Sequence, residues 1–419
     1  MPINYRADSS WKNDTKAFLK QVEPPKNTFN LHDDGRGIPT LGYGFALVRD
    51  NDGWEVPNDL DEKLQAAGLE PPDSQTRRTL RKIADYKNAG KDTSSLVDSI
   101  SGSNSPWQVS ESPASTLLDI EVDAAETALK NRLQAHLGET AGANLFQTVQ
   151  GTREGRALLS LAYNNAGPLI GDGLAGALAD GNRAEAWYEI RYNSNAGALS
   201  ASPPNTAEGI ATRRYAESAM FGLSDGDAPT EAEALEAYRT FAKHRDTILA
   251  YEGRYRDEVS DAQALIDGAA SRGGANLNVP TVQEAFAGAR NKLVAAYGEA
   301  GIPIDYRDIQ VAPEAGGTLQ GTRRDGFAIG TGAHQNDLLI GRSSNDGLAG
   351  AGGADVLYGG EGTDALDGRK GATTASLVVR ATTPWWAGRA TTSSKAVPVL
   401  IPTRSAAAPV PSPIPAATA

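Results

Sequence analysis

A glutamate and a pair of aspartates flank a glycine-rich segment near the start of this 419-residue chain. The segment reads EPPKNTFNLHDDGRGIPTLGYGF and runs from Glu23 to Phe45. A short amphipathic run over Thr15–Val22 predicts a helix that delivers Glu23 at its end. A polar turn, His32-Asp33-Asp34-Gly35, follows, and then a tight glycine-punctuated run through Gly37, Thr40, Gly42 and Gly44 that predicts a hairpin. A Glu closing a helix and an Asp in a hairpin can face each other across a groove. Two carboxylates across a groove are what acid/base cleavage of a glycosidic bond needs. The residue types alone leave Asp33 and Asp34 both open as the second carboxylate.

A second set of carboxylates lies near the other end. Asp337, Asp346, Asp355 and Asp364 are nine residues apart, and Leu339, Leu348, Leu357 and Leu366 follow each by two. Gly332, Gly341, Gly350, Gly359 and Gly368 keep the same step, while Gln335 and Ser344 stand where the first two repeats lack a glycine. This period predicts a parallel β-roll, with glycines at the turns and leucines stacked inside. Carboxylate and carbonyl oxygens brought together at successive turns suit Ca²⁺, a hard cation that takes several oxygen ligands.

Composition narrows the setting. The chain has no cysteine, so disulfide and thiol chemistry are excluded. A net charge of −12 argues against nucleic acid as a partner. The first residues lack the apolar core of a signal peptide, and no apolar run is long enough to span a bilayer. Any export signal is therefore expected elsewhere in the chain. From Arg369 to Ala419 acidic residues vanish and Ala, Thr and Pro abound, which predicts a disordered tail.

The elements that must position these residues are mostly helical. Helices are expected over Asn13–Val22, near Gln75–Lys87, over Ser115–Leu137, Arg153–Asn165 and Asn182–Tyr192, and up to Phe221. Leu117, Leu118, Ile120, Val122, Ala125, Leu129 and Leu133 form one apolar stripe, and the apolar middle of Arg153–Asn165 marks the central buried helix. Residues 48–114 have poor periodicity and read as a solvated insertion with a basic face. Further helices are expected over Glu231–Gly253, Asp261–Ala270 and Val282–Tyr297, carrying no evident chemistry. His244 reads as a solvent-exposed residue, and Arg213 and Arg214 as surface ion-pair partners.

The stretch from Glu23 to Phe45 resembles the active-site segment of phage-type lysozymes, the muramidases of glycoside hydrolase family twenty-four. LLSLAYNNAG, AEAWYEIRYNS and GIATRRYAESAMF add three further blocks in family order, so the likeness covers residues 12 to 221. The resemblance implies Glu23 as general acid, with Asp34 and Thr40 positioning water. Asp34 is favoured because it lies six residues before Thr40, the family's separation. Pro24-Pro25-Lys26 lengthens the loop by two residues, and Phe45 replaces the family's usual His. The nine-residue repeats are similar to those of RTX proteins, which bind Ca²⁺ and leave the cell by type I secretion.

Together these readings predict an α+β, mainly helical lysozyme-like domain over 1–225, with a small active-site hairpin and an insertion at about 48–114. A helical extension and linker over 226–325, a Ca²⁺-binding β-roll over 330–368 and the tail over 369–419 complete the chain. The expected setting is extracellular. The expected partners are bacterial peptidoglycan and the type I secretion machinery.

Overall fold

A computed structural model describes residues 3–23, 29–50, 53–203, 207–226, 228–313, 315–321, 336–350, 353–367 and, for the backbone alone, 378–381. Pro24, Pro25, Lys26, Gly332, Gln335, Gly368 and nearly all of the tail lie outside these residues. The architecture is mixed α+β and mainly helical. The chain divides into two compact units: residues 1–298 with 305–311, and residues 299–304 with 312–419.

In the first unit, helix α1 (Trp11–Val22) leads to a small antiparallel sheet of β1 (His32–Asp33), β2 (Pro39–Leu41) and β3 (Phe45–Ala46). His32 pairs with Thr40, and Leu41 with Phe45. The helix starts two residues before the expected Asn13. Asp14, in its first turn, is buried and ion-paired to Arg156 at 3.0 Å.

The insertion is more regular than its periodicity promises. It holds a hairpin of β4 (Arg49–Asp50) and β5 (Trp54–Glu55), then helices α2 (Leu60–Ala66), α3 (Ser74–Asn88) and α4 (Ser94–Asp98). The Asp73 carboxylate accepts a bond from Thr76 N and so caps α3.

Helix α5 (Glu111–Leu137) buries the expected stripe, although Ile120 is only partly covered. Helix α6 (Glu139–Val149) doubles back on it. A Cβ at Gly142 would lie 2.4 Å from the backbone of Gln134, so only glycine permits this approach. Helix α7 (Arg153–Leu169) is the central one, buried continuously from Glu154 to Ala162. It breaks at Asn165, where φ is −172°, the residue at which the expected helix ends. Helices α8 (Asp172–Ala179), α9 (Arg183–Arg191) and α10 (Glu208–Phe221) follow, with Trp187 and Ile190 inward.

The helical extension does not form a body of its own. Thr230 with Glu233, and Thr281 with Glu284, build capping boxes that start α11 (Glu231–Tyr255) and α13 (Val282–Tyr297). Between them α12 (Glu258–Ser271) packs on α1 and α10, and Gln21 Nε2 donates to Gly268 O at 3.2 Å. The extension therefore buttresses the helix that carries Glu23. Strand β6 (Ile309–Val311) completes the first unit.

The second unit is built from short parallel strands. β8 (Leu338–Ile340) pairs with β10 (Val356–Gly360), placing Leu339 beside Leu357. β9 (Gly347–Ala349) pairs with β11 (Ala365–Asp367), placing Leu348 beside Leu366. Partners are eighteen residues apart, so each nine-residue repeat supplies half a turn. β7 (Thr318–Gln320) pairs with β9 and adds Leu319, one more stacked leucine before the first expected repeat. Leu319, Leu339, Leu348 and Leu357 form the core with Ala312, and Leu366 packs against it. Strand β12 (Val378–Ala381) runs parallel to β10, so the tail contributes a strand where disorder is the expectation.

Candidate active site

Glu23 caps the C-terminus of α1, and its backbone N donates to Leu19 O at 2.9 Å. Its side chain is 34 % exposed and packs over the β2–β3 turn. A Cβ at Gly44, whose φ is +98°, would lie 3.8 Å from Glu23 Cγ and 3.3 Å from Tyr163 Oη. Tyr163 Oη donates to Tyr43 O at 2.7 Å, which ties α7 to that turn. Burial and the nearby charge of Glu23 push the Tyr163 phenol far above its ordinary range, so it remains a hydrogen donor.

Arg213 is the residue the sequence reading misplaces. It is buried, and its Nη1 donates to Glu23 Oε1 at 3.0 Å. Its Nε reaches Glu217 Oε1 at 2.9 Å, and Nη2 reaches Ser160 O at 3.0 Å. Arg214 pairs with the other oxygen of Glu217 and donates to Asn164 Oδ1 at 2.8 Å. Burial opposes the charge on Glu217, but Arg214, Arg213 and Ser160 outweigh it and hold the carboxyl below its usual range. These arginines are thus an interior network between α7 and α10, not a surface pair. The network delivers one guanidinium to Glu23. Oε2 of Glu23 accepts no hydrogen bond among the described residues.

Asp34 lies in the β1–β2 turn, at the other end of β2 from Gly44. Its Oδ1 accepts from Arg36 N at 2.8 Å and Ile38 N at 3.1 Å, and Oδ2 accepts from Arg36 Nε at 3.0 Å. Arg36 is 81 % exposed at its side chain, so it can swing away from Oδ2 at little cost. Asp33 Oδ1 accepts from Gly35 N at 2.7 Å and Gly37 N at 2.8 Å. Burial works against ionisation of Asp33, but these amides and the Ser94 hydroxyl prevail and hold it below the ordinary carboxylate range. Asp33 is thereby committed to shaping the turn. Thr40 is buried in β2, between the two turns, and its Oγ1 donates to Ile38 O at 3.1 Å. None of Glu23, Asp34 and Thr40 bonds directly to another among the described residues: Thr40 lies on β2, Asp34 on the turn before it, and Glu23 at the end of α1 beside the turn after it.

The insertion fixes that sheet. Thr93 is fully buried, and its Oγ1 donates to Gly37 O at 2.6 Å. Gly37 has φ +74°, and a Cβ there would fall 2.2 Å from Thr93 Oγ1. Lys87 Nζ donates to Arg36 O, and Val109 N donates to Asn30 Oδ1 at 2.6 Å. Residues 87–109 therefore grip the turn that presents Asp34. Thr93→Val is expected to strand the buried Gly37 carbonyl and cost about 1–3 kcal/mol. Denaturant unfolding measures that loss. Hydrogen exchange should show it as faster exchange at Gly35 and Gly37, while Thr93→Ser restores protection.

His244 is not solvent-exposed. It stacks on Tyr188 with ring centroids 3.6 Å apart, and Nε2 meets Glu185 Oε1 at 2.7 Å. Burial opposes the charge on Glu185, but His244 and Lys243 overcome it and bring the carboxyl down to about 2.

In the second unit the four repeat aspartates stack in two pairs. Asp337 N donates to Asp355 Oδ1 at 3.0 Å, and Asp346 N donates to Asp364 Oδ1 at 2.9 Å. Asn336 and Asn345 make the same step, accepting from Ala354 N at 2.8 Å and Thr363 N at 2.7 Å. The second carboxylate oxygens turn toward glycine backbone. A Cβ at Gly341 would lie 2.9 Å from Asp346 Oδ2, at Gly350 2.4 Å from Asp355 Oδ2, and at Gly359 2.5 Å from Asp364 Oδ2. Asp364 Oδ2 is buried without a hydrogen-bond partner among the described residues. Burial and the neighbouring Asp346 push the Asp364 carboxyl above its ordinary value. A cation between the turns relieves both conditions, so these residues fit Ca²⁺. Among the described residues no group of three or more acidic or histidine side chains converges on a metal position, so backbone carbonyls must complete any such shell.

Protein-family models, curated proteins and solved structures yield no match to this chain. No helix among the described residues is long and apolar enough to cross a membrane.

Proposed function

We propose that this chain is a phage-type muramidase, cleaving the β-1,4 bond between N-acetylmuramic acid and N-acetylglucosamine in peptidoglycan. The observation that carries the reading is the placement of Glu23: at a helix end, against Gly44, bonded to Arg213 through one oxygen only. Glu23 Oε2 protonates the leaving glycosidic oxygen. Asp34, at the far end of β2, stabilises oxocarbenium-like charge and, with Thr40, orients the attacking water. Two carboxyls on separate turns suit the inverting geometry, which keeps about 6.5–9.5 Å between them for that water.

The stacked repeats are read as a short RTX-type β-roll. Asp337, Asp346, Asp355 and Asp364, with glycine carbonyls of adjacent turns, would hold Ca²⁺. The ion would supply positive charge between the stacked carboxylates, coupling the fold of this unit to extracellular Ca²⁺. In this reading the protein acts outside the cell after type I secretion.

A second reading is a non-hydrolytic peptidoglycan-binding module. The Arg213–Glu23 bond favours it, because that contact occupies one oxygen of the proposed acid. Incubation with purified cell walls separates the two. Release of soluble muropeptides supports the hydrolase, and pelleting with intact walls supports the module.

A further inference from the structure

The insertion carries charge of the opposite sign to the chain as a whole. α3 and the loop after it hold Arg77, Arg78, Arg81, Lys82, Lys87 and Lys91, while the chain has a net charge of −12. Within α3 the only carboxylate is Asp85. Arg77 is engaged by Asp61 at 2.8 Å. The other five form no ion pair among the described residues, and all but Lys87 are exposed. Thr76, Leu80, Ile83 and Ala84 bury the opposite side, so packing fixes the basic face outward.

Two aromatic rings underlie these cations. Lys82 and Lys91 approach the Tyr86 ring at 5.4 Å and 5.1 Å, and Lys87 approaches Trp54 at 5.3 Å. Lys87 also donates to the backbone carbonyl of Arg36, the exposed cation beside Asp34. The basic face is therefore continuous with the turn that presents the second carboxylate.

Asp73 and Asp92 lie near Arg78 and Lys87 and only partly offset the cluster; its cations repel one another, and a polyanion relieves that repulsion. We propose that the outer face of α3, from Arg78 to Lys91, binds the carboxylates of peptide-bearing glycan strands beside the β1–β2 turn. The proposal rests on the muramidase reading for the choice of polymer. Its chemistry is charge complementarity: guanidinium forks match carboxylates, and the lysines held over Tyr86 and Trp54 add positive charge beside them. It also explains how a chain of net charge −12 holds an anionic wall.

The test uses the full chain with Glu23→Gln, so that the walls stay intact, and walls stripped of other anionic polymers. Pelleting is measured across salt concentrations with Ca²⁺ present. Adding Arg78→Glu, Arg81→Glu and Lys82→Glu is expected to weaken binding at least tenfold at low salt and to flatten its salt dependence. Walls whose carboxyls are converted to amides should bind the unreversed face equally poorly. Gln in place of Glu at the same three positions provides a second variant if charge reversal disturbs folding. Unchanged binding by the variants, or undiminished binding to amidated walls, overturns the proposal, as does tighter binding to mixed-sequence DNA than to walls. Failure of the native chain to cleave walls would sink the hydrolase reading alone, since the binding readout does not require turnover.

Discussion

Glu23→Gln is expected to lower the rate of cell-wall clearing by about 10²–10⁴-fold, the usual contribution of a positioned general acid. The substitution keeps the shape of the side chain and an oxygen for Arg213 to bond. It removes only the proton that Oε2 would deliver. Thermal unfolding of the variant should therefore stay close to that of the native chain. The clearest readout is turbidity loss of purified walls at saturating substrate. A loss of activity accompanied by a collapsed fold would report on the Arg213–Glu217–Ser160 network instead. Equal clearing by both proteins would remove Glu23 from the acid role.

The second large effect concerns Ca²⁺. Chelation is expected to destabilise the unit containing residues 312–367, because it removes the cation that would bridge the stacked carboxylates of Asp337/Asp355 and Asp346/Asp364. Ca²⁺ at a hundred times its dissociation constant would stabilise one site by about 2.7 kcal/mol. Asp364→Asn should reverse sign between conditions. In chelator it relieves the clash with Asp346 and makes this unit more stable than the native one. With Ca²⁺ it removes a ligand oxygen and makes the unit less stable. Hydrogen exchange of β8 to β11, with and without Ca²⁺, measures both arms. A variant that loses stability equally in both conditions contradicts the site.

Much of this framework is legible in the sequence because it rests on local chemistry. The Thr281–Glu284 capping box and an uninterrupted amphipathic run mark α13 at both ends. The nine-residue step of Asp and Leu forecasts the stacking of Leu339 on Leu357 and of Leu348 on Leu366, since a parallel coil repeats its environment every turn. Glu23 at a helix end is legible for the same reason.

What escapes the sequence depends on distant partners. Arg213 looks like any surface arginine until α7 brings Ser160 and α1 brings Glu23 against it. The buried Thr93 hydroxyl gives no local sign that it will meet Gly37 across 56 positions. α6 and α8 are short and rich in small residues, with Gly142 and Gly176 inside them, so few large apolar side chains mark them. Leu319 is missed because residues 322–335 interrupt the nine-residue step before Asp337. The choice between Asp33 and Asp34 also needs the structure. Each holds two turn amides through Oδ1; Asp33 also meets the Ser94 hydroxyl, whereas the other oxygen of Asp34 meets the exposed guanidinium of Arg36.

The central claim is that Glu23 and Asp34 cut glycan strands with water entering from the face opposite the acid. The anomeric configuration of the new reducing end, followed by NMR during the first minutes of digestion, tests it most directly. The account predicts N-acetylmuramic acid reducing ends that appear first as the α-anomer and then mutarotate, with none formed by Glu23→Gln. First appearance of the β-anomer, or no new reducing end from the native chain, would contradict it.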